Sequence, residues 1–224
     1  MSLLTVRDVL SHDEVREITD RLAAGEFIDG SLTTRNAPAT LKLNQELQAD
    51  DTRKQLATSA IDALNRSDAI RTHAYPNRFS CPIFSRYQEG VYYGYHTDGA
   101  IPNWGHPNAV RSDLSCTVSL SEPDSYDGGK LTIHAGSEPI QLKIPAGSAA
   151  IYPTPNLHRV ETVTRGERLA AVLWVHSYVR DPARRDILAK CNDLVERPGA
   201  KDMNDEATLE SNVLHDLLRQ WAET

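Results

Sequence analysis

The chain has 224 residues, of which 40% are hydrophobic and 25% charged, values of a globular domain large enough to bury a core without disulfide or metal staples. Twenty-four Lys and Arg against 31 Asp and Glu leave a formal charge of −7, which argues against nonspecific nucleic-acid binding through basic patches but leaves room for a local basic pocket for a small anion. Cys81, Cys116 and Cys191 are too few and too far apart for a disulfide framework or a thiolate zinc site, no stretch approaches the ~20 apolar residues of a membrane span, and the first residues lack a basic region followed by an apolar run; a reducing cytoplasm is the expected compartment.

Ser11 to Glu14 has the spacing of a capping box. Val15, Ile18, Leu22 and Ala23 then share a helical face, so a helix is expected up to Gly25. A second helix is expected over about 44–64, with Leu47, Leu56, Ile61 and Leu64 inward, and an exposed loop over 30–40 between the two. From about residue 70 short runs rich in Val, Ile, Thr and Tyr alternate with Gly, Pro, Asp and Asn clusters. They predict strands near 70–75, 79–87, 92–97, 114–120, 130–134, 140–144, 148–152, 158–163 and 168–179, a pattern of all-β sandwiches and barrels. Residues 99–109 form a long Pro/Gly/Asn/Trp loop, of a length that is usually functional or disordered, and Asp127-Gly128-Gly129 reads as a turn with positive φ.

After Asp181-Pro182 the helical texture returns. Ile187, Leu188, Cys191 and Leu194 mark a helix ending before Pro198-Gly199, and Leu209, Val213, Leu214, Leu217, Leu218 and Trp221 mark a last amphipathic one. The expected organisation is a mainly β domain with flanking helices over 1–180, its N-terminal helices at about 11–65 and its β core at about 70–180, followed by a helical segment over 181–224. The apolar stripe of the last helix either packs on the domain or pairs two copies of the chain as a homo-oligomer.

The candidate chemistry starts from the histidines. Six of the eight sit in ordinary contexts; His96 and His158 stand out for their company. His96-Thr97-Asp98 places an imidazole and a carboxylate two residues apart, on one face of an extended segment, and His158 follows after enough chain for a sheet to fold back. Two histidines and one carboxylate form the facial triad of non-haem Fe(II) oxygenases, with the opposite side open for a cosubstrate and O2. An H-x-D pair alone is a weak signal. Arg168, at the start of the longest predicted strand, is placed to reach back below such a metal, and its planar fork suits a carboxylate; the alternative is a surface residue at a strand edge. An H-E-x-x-H helix, which a zinc hydrolase would need, does not occur.

Longer motifs run in order through the chain: Arg86-Tyr87-Gln88-Glu89-Gly90, Tyr93-Gly94-Tyr95-His96-Thr97-Asp98, Arg111-Ser112-Asp113-Leu114-Ser115, Tyr126-Asp127-Gly128-Gly129-Lys130-Leu131, Tyr152-Pro153, Leu157-His158-Arg159-Val160, Val163-Thr164-Arg165-Gly166-Glu167-Arg168 and Trp174-Val175-His176-Ser177. Together they closely resemble the bacterial PKHD-type hydroxylases, relatives of prolyl and lysyl hydroxylase domains among the Fe(II)/2-oxoglutarate dioxygenases, over essentially the whole chain. The resemblance implies a double-stranded β-helix, or jelly roll, whose mouth holds Fe(II). It implies that His96, Asp98 and His158 are the metal ligands, that Arg168 binds the distal carboxylate of 2-oxoglutarate with help from the Tyr87 hydroxyl, and that L-ascorbate keeps the iron ferrous. The implied activity is hydroxylation of an unidentified substrate, a protein prolyl or lysyl residue or a small metabolite, with release of succinate and CO2. The competing reading is a metal-binding jelly-roll sensor or binding protein without turnover. Arg111 and Trp104 are candidate substrate contacts. The sequence departs from the family at Lys130, where glutamate is common, and at Thr154-Pro155-Asn156, which bears on substrate fit rather than on metal binding.

Overall fold

The computed structural model describes residues 3–33, 38–197 and 205–223. In chain order it has β1 (Leu4–Val6), α1 (His12–Ala23), β2 (Phe27–Asp29), β3 (Gln45–Leu47), α2 (Asp51–Arg66), α3 (Asp68–Ala74), β4 (Pro76–Phe79), β5 (Ile83–Tyr87) and β6 (Tyr93–His96). There follow β7 (Leu114–Ser119), β8 (Asp127–Gly128), β9 (Leu131–His134), β10 (Pro139–Leu142), β11 (Ala149–Pro153), β12 (His158–Val160), β13 (Val163–Arg165), β14 (Arg168–Ser177), α4 (Pro182–Val195) and α5 (Asp205–Trp221).

The strands form a jelly roll. A large antiparallel sheet runs β1-β11-β7-β14-β5-β3-β2, with β4 also on β14, and a smaller one runs β10-β9-β12-β6. A short β13–β8 pair lies beside them. The capping box is present: Ser11 Oγ accepts from Glu14 N at 3.2 Å, and the Glu14 carboxylate accepts from Ser11 N at 2.8 Å, two otherwise orphaned donors satisfied at once.

The structure corrects several boundaries. The second helix starts at Asp51, because the Asp50 carboxylate caps it by accepting from Arg53 N at 2.8 Å. Leu47 therefore lies on β3, whose Glu46 faces Ser85 of β5. Residues 68–74 are a helix and not a strand: Ser67 caps them, Ile70 and Ala74 bury one face, and Tyr75 ends the turn in the left-handed region at φ 47°. The strand predicted over 79–87 breaks around Pro82, which has no N–H to give a ladder. The strand predicted over 158–163 divides into β12 and β13. In the loop predicted over 30–40, residues 30–33 and 39–41 are 3-10 turns and 34–37 lie outside the described residues, as do Pro198 and Gly199.

Period-two alternation divides the large sheet into a helix-facing side and a site-facing side. Leu114, Cys116 and Val118 of β7 and Ala171, Leu173 and Val175 of β14 pack with Ile18, Leu22, Leu56, Leu64 and Ile70 of the helices. The residues between them, among them Thr117, Arg168, Val172 and Trp174, line a cavity on the opposite side. A second cluster, with Tyr87, Leu131, Ile133, Tyr152 and Val160, joins the two sheets. The C-terminal helices make a third around Val179, Leu188 and Leu214. Leu217, Leu218 and Trp221 pack against that cluster, whereas Leu209 and Val213 are exposed. The chain end is tied to the domain: Glu223 N donates to the Tyr178 carbonyl at 2.7 Å, and Arg111 Nη1 donates to the Glu223 carboxylate at 2.8 Å.

Candidate metal centre and its cavity

Strands β6 and β12 are antiparallel neighbours, and their register sets His96 opposite His158 with ring centroids 4.2 Å apart. Each ring uses the same support. His96 Nδ1 lies 2.8 Å from the Gly94 carbonyl, and His158 Nδ1 lies 2.9 Å from the Asn156 carbonyl. A carbonyl oxygen can only accept, so Nδ1 carries the hydrogen and Nε2 is the bare nitrogen in both rings. The two Nε2 atoms face Asp98, at 3.7 Å from its Oδ1 and 3.7 Å from its Oδ2 respectively.

Asp98 is held in turn by Ser115 of β7, whose hydroxyl donates to Oδ2 at 2.6 Å and lies 3.3 Å from Thr154 Oγ1. One ligand atom from each of His96, Asp98 and His158 lies within 4.8 Å of the other two. Burial, reinforced by the neighbouring His158, pushes the His96 pKa down to about 4 against the raising effect of the Gly94 bond and Asp98. The ring is neutral at physiological pH, which is the form that ligates a metal. Separations of 3.7 Å are too long for hydrogen bonds, yet two bonds of about 2.0–2.2 Å, the lengths zinc makes to imidazole and carboxylate, span them. The donor set therefore fits a divalent first-row metal, and two imidazoles with one carboxylate favour Fe(II). Two aromatic rings wedge the histidines: Tyr93 stacks on His96 at 3.6 Å and 9°, and Tyr152 meets His158 edge-on at 5.1 Å.

The three residues line a cavity of about 640 Å³. Arg168 lines it too. It is 5% exposed, not a surface residue, and sits opposite Tyr87 in the β14–β5 register with its guanidinium 5.1 Å from that ring. Burial raises the pKa of the nearby Tyr126 phenol, and the Arg168 charge favours its ionised form against that effect; Arg168 Nη1 is buried without a partner among the described residues. A buried charged donor left unsatisfied is costly, and a carboxylate in the cavity would satisfy it. Tyr87 is buried at the same end, and burial holds its phenol well above the usual range. The structure thus brings six of the seven candidate residues onto one cavity, Arg111 being the exception; Val172 and Trp174 continue the Arg168 face along it, and the buried indole Nε1 of Trp174 has no partner among the described residues.

The two candidate substrate contacts part company. Trp104 lies at the mouth, 67% exposed. Arg111 is not among the cavity-lining residues. Its guanidinium is committed to Asp113 through Nε at 2.9 Å, to the Ser177 carbonyl at 3.1 Å and to Glu223, so it fastens the C-terminal tail. Lys130 is exposed on the small sheet, 3.3 Å from Gln141, and Asn156 serves His158 through its backbone carbonyl, which any residue there could offer.

Other cavity residues were not legible in the sequence. Lys42, Glu46, Arg53 and Thr33 make one wall. Lys42 is buried in an ion pair with Glu46 and donates to Thr33 Oγ1 at 2.8 Å. Ser115 stands behind the cavity rather than on its lining, and in the sequence it shows only as a strand and motif residue. Its place two residues after Asp113, alternating with the apolar Leu114 and Cys116, is the signal that turns its hydroxyl toward the site rather than the helices.

The sequence profile of the 2OG-Fe(II) oxygenase superfamily matches residues 82–176. A PKHD-type hydroxylase of Stenotrophomonas maltophilia is 39% identical over 223 residues, 99% of each chain. One from Klebsiella pneumoniae is also 39% identical, over 97% of this chain and 98% of its own. Among solved structures, a Pseudomonas putida prolyl-4-hydroxylase superposes with a TM-score of 0.58 at 21% identity, over 78% of this chain and 92% of its own. A Trichoplax adhaerens prolyl hydroxylase in complex with a hypoxia inducible factor peptide also gives 0.58, at 15% identity, over 79% and 84%. At such identities these two establish the shared fold alone.

Proposed function

The chain belongs to the PKHD-type hydroxylase family within the 2OG-Fe(II) oxygenase superfamily, and from that premise we propose that His96, Asp98 and His158 hold its iron while Arg168 holds the far carboxylate of 2-oxoglutarate. The protein is an Fe(II)- and 2-oxoglutarate-dependent dioxygenase. When bound, iron and 2-oxoglutarate supply oxidative decarboxylation to succinate and CO2 and oxygen transfer from O2 to a substrate C–H bond.

The chain's own residues bind, orient and exclude water. The Gly94 and Asn156 carbonyls hold the imidazoles with Nε2 forward, and Ser115 fixes the carboxylate, the outer support that metal ligands require. Arg168 presents its unpartnered nitrogen, and Tyr87, kept protonated by burial, is a neutral donor for the same anion. With Asp98 occupying a ligand position, hydroxylation is favoured over halide transfer, which needs that position open.

The observation that carries this reading is the pairing, in one cavity, of three converging ligand atoms with a buried arginine nitrogen that lacks a partner. The test is succinate release and iron content with Fe(II) and 2-oxoglutarate. Stoichiometric iron with succinate formed by the wild type, and neither in Asp98→Ala, supports it; equal turnover in the variant overturns the ligand assignment.

The substrate is a prolyl or lysyl residue or a small metabolite, and L-ascorbate as the reductant follows from the family resemblance. A cytoplasmic setting is supported by the separated cysteines; no helix among the described residues is long and apolar enough to cross a membrane. The negative formal charge speaks against nucleic acid as partner. A helical segment over 181–224 appended to the 1–180 dioxygenase domain is supported by the packing of α4 and α5 together around Val179, and the exposed Leu209 and Val213 are what that segment offers a second copy of the chain.

A further inference from the structure

We infer that the primary substrate carries an anionic oxygen group, carboxylate or phosphate, and that Arg53 selects it. The inference rests on the iron and 2-oxoglutarate assignment above and names the substrate class for the same cavity.

The argument begins with charge. The side chains of formal charge lining the cavity are Lys42, Glu46, Arg53, Asp98 and Arg168. Lys42 and Glu46 neutralise each other in a buried pair. Iron(II) and the 2-oxoglutarate dianion cancel in sum, as do Asp98 and Arg168. One positive charge is left over, on Arg53. An uncompensated cation beside a partly enclosed site raises the local concentration and affinity of anions and repels cations.

Geometry points the same way. Arg53 stands in the first turn of α2, fixed at its backbone by the Asp50 cap. Its Nε donates to the Pro82 carbonyl at 3.2 Å, which braces the side chain beside Ile83, another lining residue. That bond uses one of five guanidinium hydrogens, and the two terminal nitrogens have no protein partner among the described residues. Both remain for a bidentate contact with an oxyanion. Ile83 faces Val172, four residues along β14 from Arg168, a separation of roughly 13 Å at strand rise. Arg53 therefore flanks a part of the cavity remote from the arginine that serves the cosubstrate. The same cavity offers exposed apolar surface: Leu32 and Trp104 both line it, 74% and 67% exposed. The substrate this describes has an apolar body and an anionic end. A lysyl ammonium is the class it rejects.

The test uses the full chain loaded with Fe(II) under anaerobic conditions and saturated with 2-oxoglutarate, whose own binding is titrated first. Calorimetry then measures four probes with one apolar body: 4-phenylbutanoate, 4-phenylbutyl phosphate, 4-phenylbutanamide and 4-phenylbutylamine. The carboxylate, the phosphate or both bind at least about tenfold tighter than the amide, with the amine weakest, and whichever anion binds tighter identifies the group. Arg53→Gln reduces that preference to about twofold or less, Arg53→Lys retains part of it, and both leave 2-oxoglutarate affinity unchanged. Equal binding of anion and amide, a preference that survives Arg53→Gln, or anions that compete with 2-oxoglutarate overturn the inference. If 2-oxoglutarate itself fails to bind the iron-loaded chain, the cosubstrate assignment fails and this inference falls with it; if it binds normally and the preference is missing, only the inference falls.

Discussion

His96 and His158 face each other across the β6–β12 ladder, and each is steadied by the carbonyl two residues before it. The two Nε2 atoms face different oxygens of one carboxylate, Asp98, just past the end of β6, so a strand register sets two of the three proposed ligands. Removing a ligand should therefore empty the site without unfolding the sheet. His96→Ala and Asp98→Ala are expected to lose stoichiometric iron and succinate formation, with a far-ultraviolet dichroism spectrum like that of the wild type. Iron content by metal analysis after anaerobic reconstitution checks this.

Ser115 touches no metal position, yet it is fully buried and donates to Asp98 at 2.6 Å. Outer partners of metal ligands are typically worth about 10–100-fold in metal affinity. Ser115→Ala is expected to weaken Fe(II) binding within that range in a chelator competition, while Ser115→Thr, which keeps the hydroxyl, loses less. Equal affinity in the alanine variant would mean that Asp98 needs no support from β7.

Arg168 Nη1 is buried and has no hydrogen-bond partner among the described residues. Hydrogen bonds involving a charged group contribute about 1.5–3 kcal/mol each, so Arg168→Ala is expected to raise the KM for 2-oxoglutarate by roughly tenfold to a hundredfold, with iron affinity little changed. Uncoupled succinate release across a 2-oxoglutarate series measures both KM and kcat. An unchanged KM would move the anchor to another residue.

What was legible in the sequence was whatever local spacing encodes. The H-x-D pair needs only that residues two apart share a strand face, and Arg168 stands out as a charge opening an apolar strand. The second wall of the cavity was hidden because it depends on which strands become neighbours. Residues 44–47 look like the start of a helix, and only the pairing of Gln45 and Glu46 with Arg86 and Ser85 makes them a strand and turns Glu46 toward Lys42. Residues 70–75 carry strand-like side chains, and the Ser67 cap with the four-residue spacing of Ile70 and Ala74 outweighs them. The broken strand at Pro82 carried its own signal in the proline.

Arg111 illustrates a motif residue whose work lies elsewhere. It joins Asp113, the Ser177 carbonyl and Glu223, and the Asp113 carboxylate, only 6% exposed at its side chain, keeps among the described residues just the Ser177 N–H at 2.9 Å when the guanidinium is removed. Arg111→Ala is expected to destabilise the protein by about 1–3 kcal/mol, the usual penalty for stripping a charged partner from a mostly buried group, and to leave the KM for 2-oxoglutarate unchanged. Urea unfolding and the succinate assay separate the two effects. A raised KM with unchanged stability would return Arg111 to the site.

The turn that delivers Arg168 depends on Gly166. Its φ of +75° lies in the left-handed region, and a Cβ there would sit 2.5 Å from the Ser125 carbonyl oxygen. A side chain meets two penalties: roughly 1–2 kcal/mol for the backbone conformation, and displacement of a neighbouring backbone that cannot swing aside as a side-chain tip would. Gly166→Ala is expected to lower stability by about 2–4 kcal/mol. It is also expected to raise the KM for 2-oxoglutarate, because the shifted turn is only two residues from the arginine and pulls on the first β14–β5 pair, Arg168 with Tyr87. Iron affinity is the control, since His96, Asp98 and His158 stand on other elements. Thermal unfolding, a 2-oxoglutarate titration and metal analysis on the same preparation measure the three quantities, and a loss of iron in step with the loss of stability would show general unfolding instead of a displaced arginine.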